Sequence, residues 1–216
     1  MSFDYNKNDL KKCIYNLNIE KNDILYVSGN LSNFGRINGK NLRNLPNLFY
    51  KYLSEKIGPN GTIIVPTHSF NLVNNKKIFD LKKTSSESGV FSKYILKKKK
   101  AIRQLHPYSS STAIGKHANY ICTNNTKNVY GRKSPFDKII KLNAKFISLG
   151  MKINENCSQV HHAEYIMRVP YRYNKIFSHK IKLKNKILKK KFNMYVLKKQ
   201  YLNIKRDENY KIVKNF

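Results

Sequence analysis

Residues 23–29, Asp-Ile-Leu-Tyr-Val-Ser-Gly (DILYVSG), set the frame for the whole chain. Four apolar or aromatic side chains run without alternation into two small residues. Such a run predicts a short buried strand that feeds a turn. Two other segments share its character: TIIVPTHSF, 62–70, expected to stop at Pro66, and KFISLGM, 145–151. Helical patterns lie between them. Leu10, Cys13, Ile14 and Leu17 form one apolar stripe over 8–18. A second helix is expected over Leu42–Ile57, ended by Gly58-Pro59-Asn60-Gly61. Shorter ones are expected over 90–98, at the start of HANYICTNN, and from Ser134-Pro135, a good N-cap followed by proline. Residues 157–168 read as a helix ended by Pro170. Residues 30–40 and 71–89 are polar and read as loops. After residue 168, KIKLKNKILKKKFNMYVL alternates apolar and basic residues, as a half-buried hairpin or meander does. The expected fold class is therefore α/β: a mixed central sheet flanked by helices, with a β-rich C-terminal part.

The chain has 216 residues and a hydrophobic content of 40%, enough for one packed domain over 1–216. No apolar run approaches the roughly 18 residues of a membrane span. The N-terminus, MSFDYNKNDLKK, lacks a secretory apolar core. Cys13, Cys122 and Cys157 are odd in number and far apart, which argues against a disulfide framework and for a reducing, cytoplasmic setting. Charge is the outlier. Forty-three Lys and Arg face 12 Asp and Glu, a formal +31. A field of that sign favours anionic partners. Abundant Lys, Asn, Ile and Tyr without Trp also fits a coding bias that fills solvated surface with lysine.

Chemistry concentrates in SQVHHAEYIM, 158–167. On a helix His161 and Glu164 share a face, whereas His162 points about 100° away. Helical zinc pairs use i, i+4 spacing, so the two histidines do not suit one metal, and no metal site is expected. Two readings satisfy the spacing. One is a general base whose tautomer a carboxylate fixes; the other is a histidine satisfied on a solvated helix face. Ser158 lies one turn before His161 on the same face.

Three other segments offer anion-friendly turns: VSGNLSNFG after the first strand, the hydroxyl-rich LHPYSSS, and GRKSPF at a helix start. None matches a P-loop or GxGxxG. His106 before Pro107 suits a structural turn anchor as well as a catalytic role.

Taken in order, LYVSGNLSNFGRINGK, IGPNGTIIVPTHSF, SSESGVF, LHPYSSSTAIG, YGRKSPFDKI, FISLGM and CSQVHHAEY resemble the aminoglycoside 3-N-acetyltransferase family over about residues 23–173. The resemblance implies the antibiotic N-acetyltransferase fold, distinct from GNAT, and acetyl transfer from acetyl-CoA to an amine of an amino sugar. It maps the family's catalytic motif onto residues 157–164. His161 is then the general base, Glu164 its orienting partner, and Ser158 a donor to the oxyanion. The CoA-cradling loop maps onto Ser28, Gly29, Asn30 and Leu31. Ser110, Ser111, Ser134 and Phe136 are implied as further cofactor contacts, and Glu87 as an acceptor contact. His162 is left a structural role.

The chain departs from the family pattern in places. Ser28 and Gly29 replace a histidine and a serine of the cofactor loop, and Arg36-Ile37-Asn38-Gly39-Lys40 carries Gly-Lys in place of a double glycine. The basic part from 174 to 216 is expected to be short for the family. Acids near the motifs are few: Glu87, Asp137, Glu155 and Glu164. A strongly basic chain repels polycations, so a nucleotide-linked amino sugar, or one destined for a surface polysaccharide, is expected in place of an antibiotic. A second class of function would use the Lys-rich segment 175–199, with interleaved Tyr and Phe, to bind RNA or DNA. A third is a catalytically inactive relative kept as an interaction protein.

Overall fold

A computed structural model describes residues 4–38, 44–152 and 157–201. The expectations on Leu42, Arg43, Gly39-Lys40, Glu155 and the tail beyond 201 fall outside the described residues. Residues 23–29 behave as their apolar run predicts. Strand β1 (Ile24–Gly29) lies between β2 (Thr62–His68) and β6 (Lys145–Leu149), parallel to both. The sheet order is β4-β5-β2-β1-β6, with β4 (Ile102–Arg103) and β5 (Ser109–Gly115) antiparallel additions beyond β2. It is mixed, as expected.

The alternation of β1 divides the core. Leu25 and Val27 face helices α1 (Lys7–Tyr15), α2 (Leu45–Ile57) and α3 (Gly89–Leu96), against Ile14, Phe49, Leu53, Phe91 and Ile95. Ile24 and Tyr26 face α4 (Ala118–Cys122) and α5 (Pro135–Lys141), against Ile121, Phe136 and Ile139. Burial of apolar area on both faces is the main favourable term here, and it explains why the strand carries no polar residue before Ser28. A second sheet, β3-β7-β8, packs Ile181 and Phe192 on Leu72, Phe79 and Tyr108. Its strands are β3 (Phe79–Asp80), β7 (Arg172–Leu183) and β8 (Lys186–Leu197). Helix α6 (Ser158–Ile166) precedes it.

Four expectations need correction. Strand β2 does not stop at Pro66 but runs to His68. The β1–β2 ladder ends at Tyr26↔Ile64, so Pro66 sits where β2 pairs with β5 alone, a place that tolerates a missing N–H. The hydroxyl-rich turn is shorter than expected, because Ser109, Ser110 and Ser111 belong to the buried strand β5. Residues 30–40 hold a 3-10 turn at Leu31–Phe34. Residues 71–89 hold part of a 3-10 helix, Phe70–Asn74, and strand β3. Among the described residues, no helix is long and apolar enough to cross a membrane.

Candidate active site

The parallel strands β1 and β6 end together, with Ser28 opposite Ser148 and Gly29 opposite Leu149. Open α/β sheets carry their ligand sites at such carboxyl ends. Gly29 is there for a physical reason. Its φ is +151°, and a Cβ would stand 2.0 Å from the Leu149 carbonyl oxygen. Asn30 N donates to Leu149 O at 2.8 Å, and Asn30 Oδ1 accepts from Ser32 N at 3.1 Å and Ser32 Oγ at 2.7 Å. Ser28 and Leu31 are buried. Residues 28–31 thus form a tightly held backbone turn.

Tyr26 and Ser28 project to the α4–α5 face of β1, and the start of α6 reaches Tyr26 there. Tyr26 is 1% exposed, and its hydroxyl has no well-aligned hydrogen-bond partner among the described residues. The Ser158 hydroxyl lies beside it; burial raises the phenol far more than that neighbour lowers it. Ser158 is the first residue of α6, so its side chain sits at the amide end of the helix, where Val160 N donates to Cys157 O at 3.0 Å.

One turn on, His161 Nδ1 stands 2.6 Å from Glu164 Oε2. A carboxylate only accepts, so Nδ1 carries the proton and Nε2 is the basic nitrogen. The histidine side chain is 40% exposed and the carboxylate 14%. Nε2 has no protein partner among the described residues. Glu164 is clamped from the second sheet. Tyr171 Oη donates to Oε1 at 3.1 Å. Arg172 Nε stands 2.8 Å from Oε2, an ion pair whose N–H points off the line of a hydrogen bond. Tyr195 Oη donates to the Glu164 carbonyl at 3.1 Å. Tyr130 packs edge-on against the His161 ring, centroids 5.8 Å apart, and also against Phe136 and Tyr195. Burial pushes its phenol up, so it stays neutral at ordinary pH. The result is a histidine oriented by a fixed carboxylate, open on its far nitrogen, above a buried polar floor.

The structure brings His161 and Glu164 together on one face as the spacing predicts, and places Ser158 one turn earlier, beside Tyr26. His162 points elsewhere and accepts from Gly131 N at 3.4 Å. Ser134 caps α5, its Oγ accepting from Asp137 N at 3.2 Å, and Phe136 is buried between Tyr26 and Tyr130. Ser110 Oγ donates to Thr67 O at 2.7 Å and accepts from Arg103 Nε at 2.9 Å. Ser111 is buried. These four side chains are committed to the protein interior. Glu87 accepts from Asn71 N at 3.1 Å, in the β2–α3 region away from the α6 group. His106 is a turn anchor, its Nδ1 accepting from Ser109 N at 3.0 Å and its Nε2 donating to Asn193 O at 3.2 Å.

Sequence reasoning passed over Tyr130, Tyr171, Arg172 and Tyr195, which converge from a loop and two strands. It also passed over His68 at the end of β2, stacked on Phe70 and hydrogen-bonded to Ser109 Oγ at 3.2 Å. Burial, then His106 and Arg103, hold His68 down at about 4, so it is neutral. Helix α6 ends at Ile166, with Met167 as its C-cap, and not at Pro170 as expected; the closeness of Tyr171-Arg172 to that helix end was the available signal. Among the described residues no group of three His, Cys, Asp or Glu could hold a metal.

A mixed sheet with an appended β-ribbon, and a histidine–carboxylate pair on a helix at the ends of its parallel strands, together define the antibiotic N-acetyltransferase class of fold. The family model for aminoglycoside 3-N-acetyltransferase matches residues 27–211. The chain belongs to that family, a group of acyltransferases. Solved structures agree on the fold. AAC-IIIb in a binary complex with CoASH shares 18% identity at a TM-score of 0.76, over 89% of this chain and 76% of that one. YokD from Bacillus subtilis gives 20% and 0.72, over 90% and 83%. AAC-VIa bound to sisomicin gives 18% and 0.75, over 88% and 76%. No curated protein matches the sequence.

Proposed function

We propose that the protein transfers an acetyl group from acetyl-CoA to an amine of an amino sugar. The observation that carries this is the 2.6 Å contact between His161 Nδ1 and Glu164 Oε2, with Nε2 left open. An ammonium is not a nucleophile, so the acceptor reacts as the free amine, its ammonium proton having gone to solvent. His161 Nε2 takes the amine proton as the N–C bond forms at the thioester carbonyl. Glu164 stabilises the imidazolium that results, and Tyr171 and Arg172 keep the carboxylate in place. Ser158 Oγ and the first amides of α6 donate to the oxygen that gains charge. As the C–S bond breaks, the imidazolium returns the proton to the departing CoA thiolate, so the balance closes on an amide and a free thiol. CoA is proposed to lie over the 28–31 turn, whose backbone, more than its side chains, is presented to it. Ser134 and Phe136 act by holding α5 and the floor formed with Tyr26 and Tyr130, and Ser110 and Ser111 by joining β5 to β2.

The acceptor carries net negative or neutral charge in this reading. The carboxylate nearest His161 is neutralised by Arg172, and Asp137 is engaged by Lys133 N and Lys141. Among the described residues, no acidic wall for a polycation stands beside the histidine. A nucleotide-linked amino sugar fits best, with Glu87 an outlying acceptor contact. Thiol release from acetyl-CoA across a panel of amino sugars, sugar nucleotides and aminoglycosides tests this, with His161→Gln as control. Release with sugar nucleotides, lost in the variant, supports it. An aminoglycoside turned over at much higher kcat/KM would overturn the acceptor assignment, and turnover unaffected by His161→Gln would overturn the mechanism.

A further inference from the structure

We propose that the outer face of the β7–β8 ribbon is a docking surface for an anionic lipid bilayer. Residues paired across an antiparallel ribbon share a face, as do residues two apart along a strand. One face of this ribbon carries Phe177↔Phe192 and Ile181, with the exposed Leu188 opposite it, and packs Phe177, Ile181 and Phe192 on Phe79, Leu72 and Tyr108. The other carries Ser178↔Lys191, Lys180↔Lys189 and Lys182↔Ile187, all exposed. Lys180 and Lys189 are directly opposed, an arrangement that weakens a sheet unless an anion offsets it. No ion pair joins any of the four lysines among the described residues. The nearby carboxylate is Asp80, paired with Lys182 in register. Its Oδ1 accepts from Lys82 N at 2.9 Å and Lys83 N at 3.1 Å, which adds two more exposed lysines to the same edge.

A simpler account is that lysines guard an exposed strand edge against aggregation. That serves for Lys189 and Lys191 on the edge strand β8. It does not serve for Lys182, since β7 at that point is flanked by β3 and β8 and has no edge to guard. Two isoleucines decide the partner. Ile176 is 63% exposed and Ile187 55%, both on the lysine face. Exposed apolar side chains among lysines match a bilayer interface, where charge meets anionic headgroups and the apolar groups enter the acyl boundary. Single-stranded nucleic acid is gripped by stacking on aromatic rings, and between residues 176 and 191 this face presents none.

The test is sedimentation of the full chain with phosphatidylcholine vesicles, with and without phosphatidylglycerol, at physiological salt. Poly(U) RNA is titrated in parallel. Binding to the anionic vesicles alone is expected, falling roughly tenfold or more in Lys180→Gln/Lys189→Gln, since each lysine near the surface contributes about a fivefold factor. Ile187→Ser should weaken the part of the binding that survives high salt. Because all three positions are exposed, the variants should unfold at a urea midpoint no lower than the parent's, with the lysine variant slightly higher once the opposed charges are gone, which confirms that they fold. Failure to bind anionic vesicles, undiminished binding by the lysine variant, or RNA binding in place of vesicle binding would each overturn the proposal.

Discussion

His106 gives the structure a specific acid sensitivity. Its Nδ1 accepts from Tyr108 N at 3.3 Å and Ser109 N at 3.0 Å, and its Nε2–H meets Asn193 O. The ring is fully buried, and burial lowers its pKa from 6.5 to about 4, with the Asn193 contact opposing. Protonating Nδ1 would turn an N–H toward two other N–H groups. The folded pKa lies below the unfolded one, so the unfolded chain binds the proton first. Stability is therefore intact above the unfolded value and is lost as pH falls from about 6.5 toward about 4. With those two values, lowering the pH from 7 to 5 costs about 2 kcal/mol through this residue alone. His106→Asn keeps an acceptor for the turn amides but cannot titrate. The assay is urea unfolding of parent and variant across this range. The variant should be weaker at pH 7, by about 1–3 kcal/mol for the lost donor and packing. It should lose less stability on acidification, by about 2 kcal/mol between pH 7 and 5. His162 and His179 titrate in both proteins and cancel in the comparison; His68 is held down chiefly by burial and in part by His106, so its smaller change in the variant has the same sign. Parallel pH profiles for parent and variant would refute the reasoning.

Gly29→Ala puts a Cβ 2.0 Å from a backbone oxygen at a φ of +151°. It should lower Tm by roughly 5–10 °C, equivalent to about 3 kcal/mol of strain and displaced strand pairing; differential scanning fluorimetry checks this. Glu164→Gln should reduce kcat for the proposed transfer by about 10²–10³-fold with little change in KM for acetyl-CoA, because the carboxylate acts on the imidazolium formed in the transition state. Steady-state thiol release measures both. Tyr171→Phe removes one of the groups holding that carboxylate and should cost roughly tenfold in kcat, since a charge-assisted hydrogen bond contributes about 1.5 kcal/mol.

The central strands were legible because their apolar runs are unbroken and small residues close them. His161–Glu164 was legible because a spacing of three on a helix puts two side chains on one face whatever the surroundings. The clamp on Glu164 was not. Tyr171, Arg172 and Tyr195 reach it only because the ribbon folds back beside α6, and no local period encodes that approach. Strand β5 was hidden for another reason. Its serines look like turn residues, yet they are satisfied across strands: Thr67 Oγ1 meets Ser110 Oγ at 3.1 Å and Thr112 Oγ1 at 2.9 Å. Strands β3 and β4 are two residues long and leave no pattern to read.

A chain with so few acids must settle its buried and half-buried cations by other means, and three of them show how. Arg103 is 7% exposed, with Nη2 on Thr67 O at 2.8 Å and Ser69 Oγ at 2.9 Å, Nε on Ser110 Oγ, and its guanidinium 4.8 Å from the Phe79 ring centroid. Lys56 Nζ donates to the carbonyls of Tyr15 and Leu17 just past α1. Lys138, 8% exposed, donates to Tyr120 O at 2.9 Å and Thr123 O at 2.6 Å at the end of α4. Carbonyls at a helix C-terminus carry partial negative charge and lack partners of their own, so an ammonium there satisfies both sides without a carboxylate. The site is largely withdrawn from water, and burial accordingly lowers the Lys138 pKa. Lys138→Met keeps the apolar stem but strips the cap, and should cost about 1–3 kcal/mol, the range for hydrogen bonds to a charged group. If buried lysine were instead a burden tolerated because of coding bias, the same change would stabilise the protein, since methionine fills the space at no desolvation cost. The sign of the shift in urea midpoint separates the two, and a rise would sink the capping account.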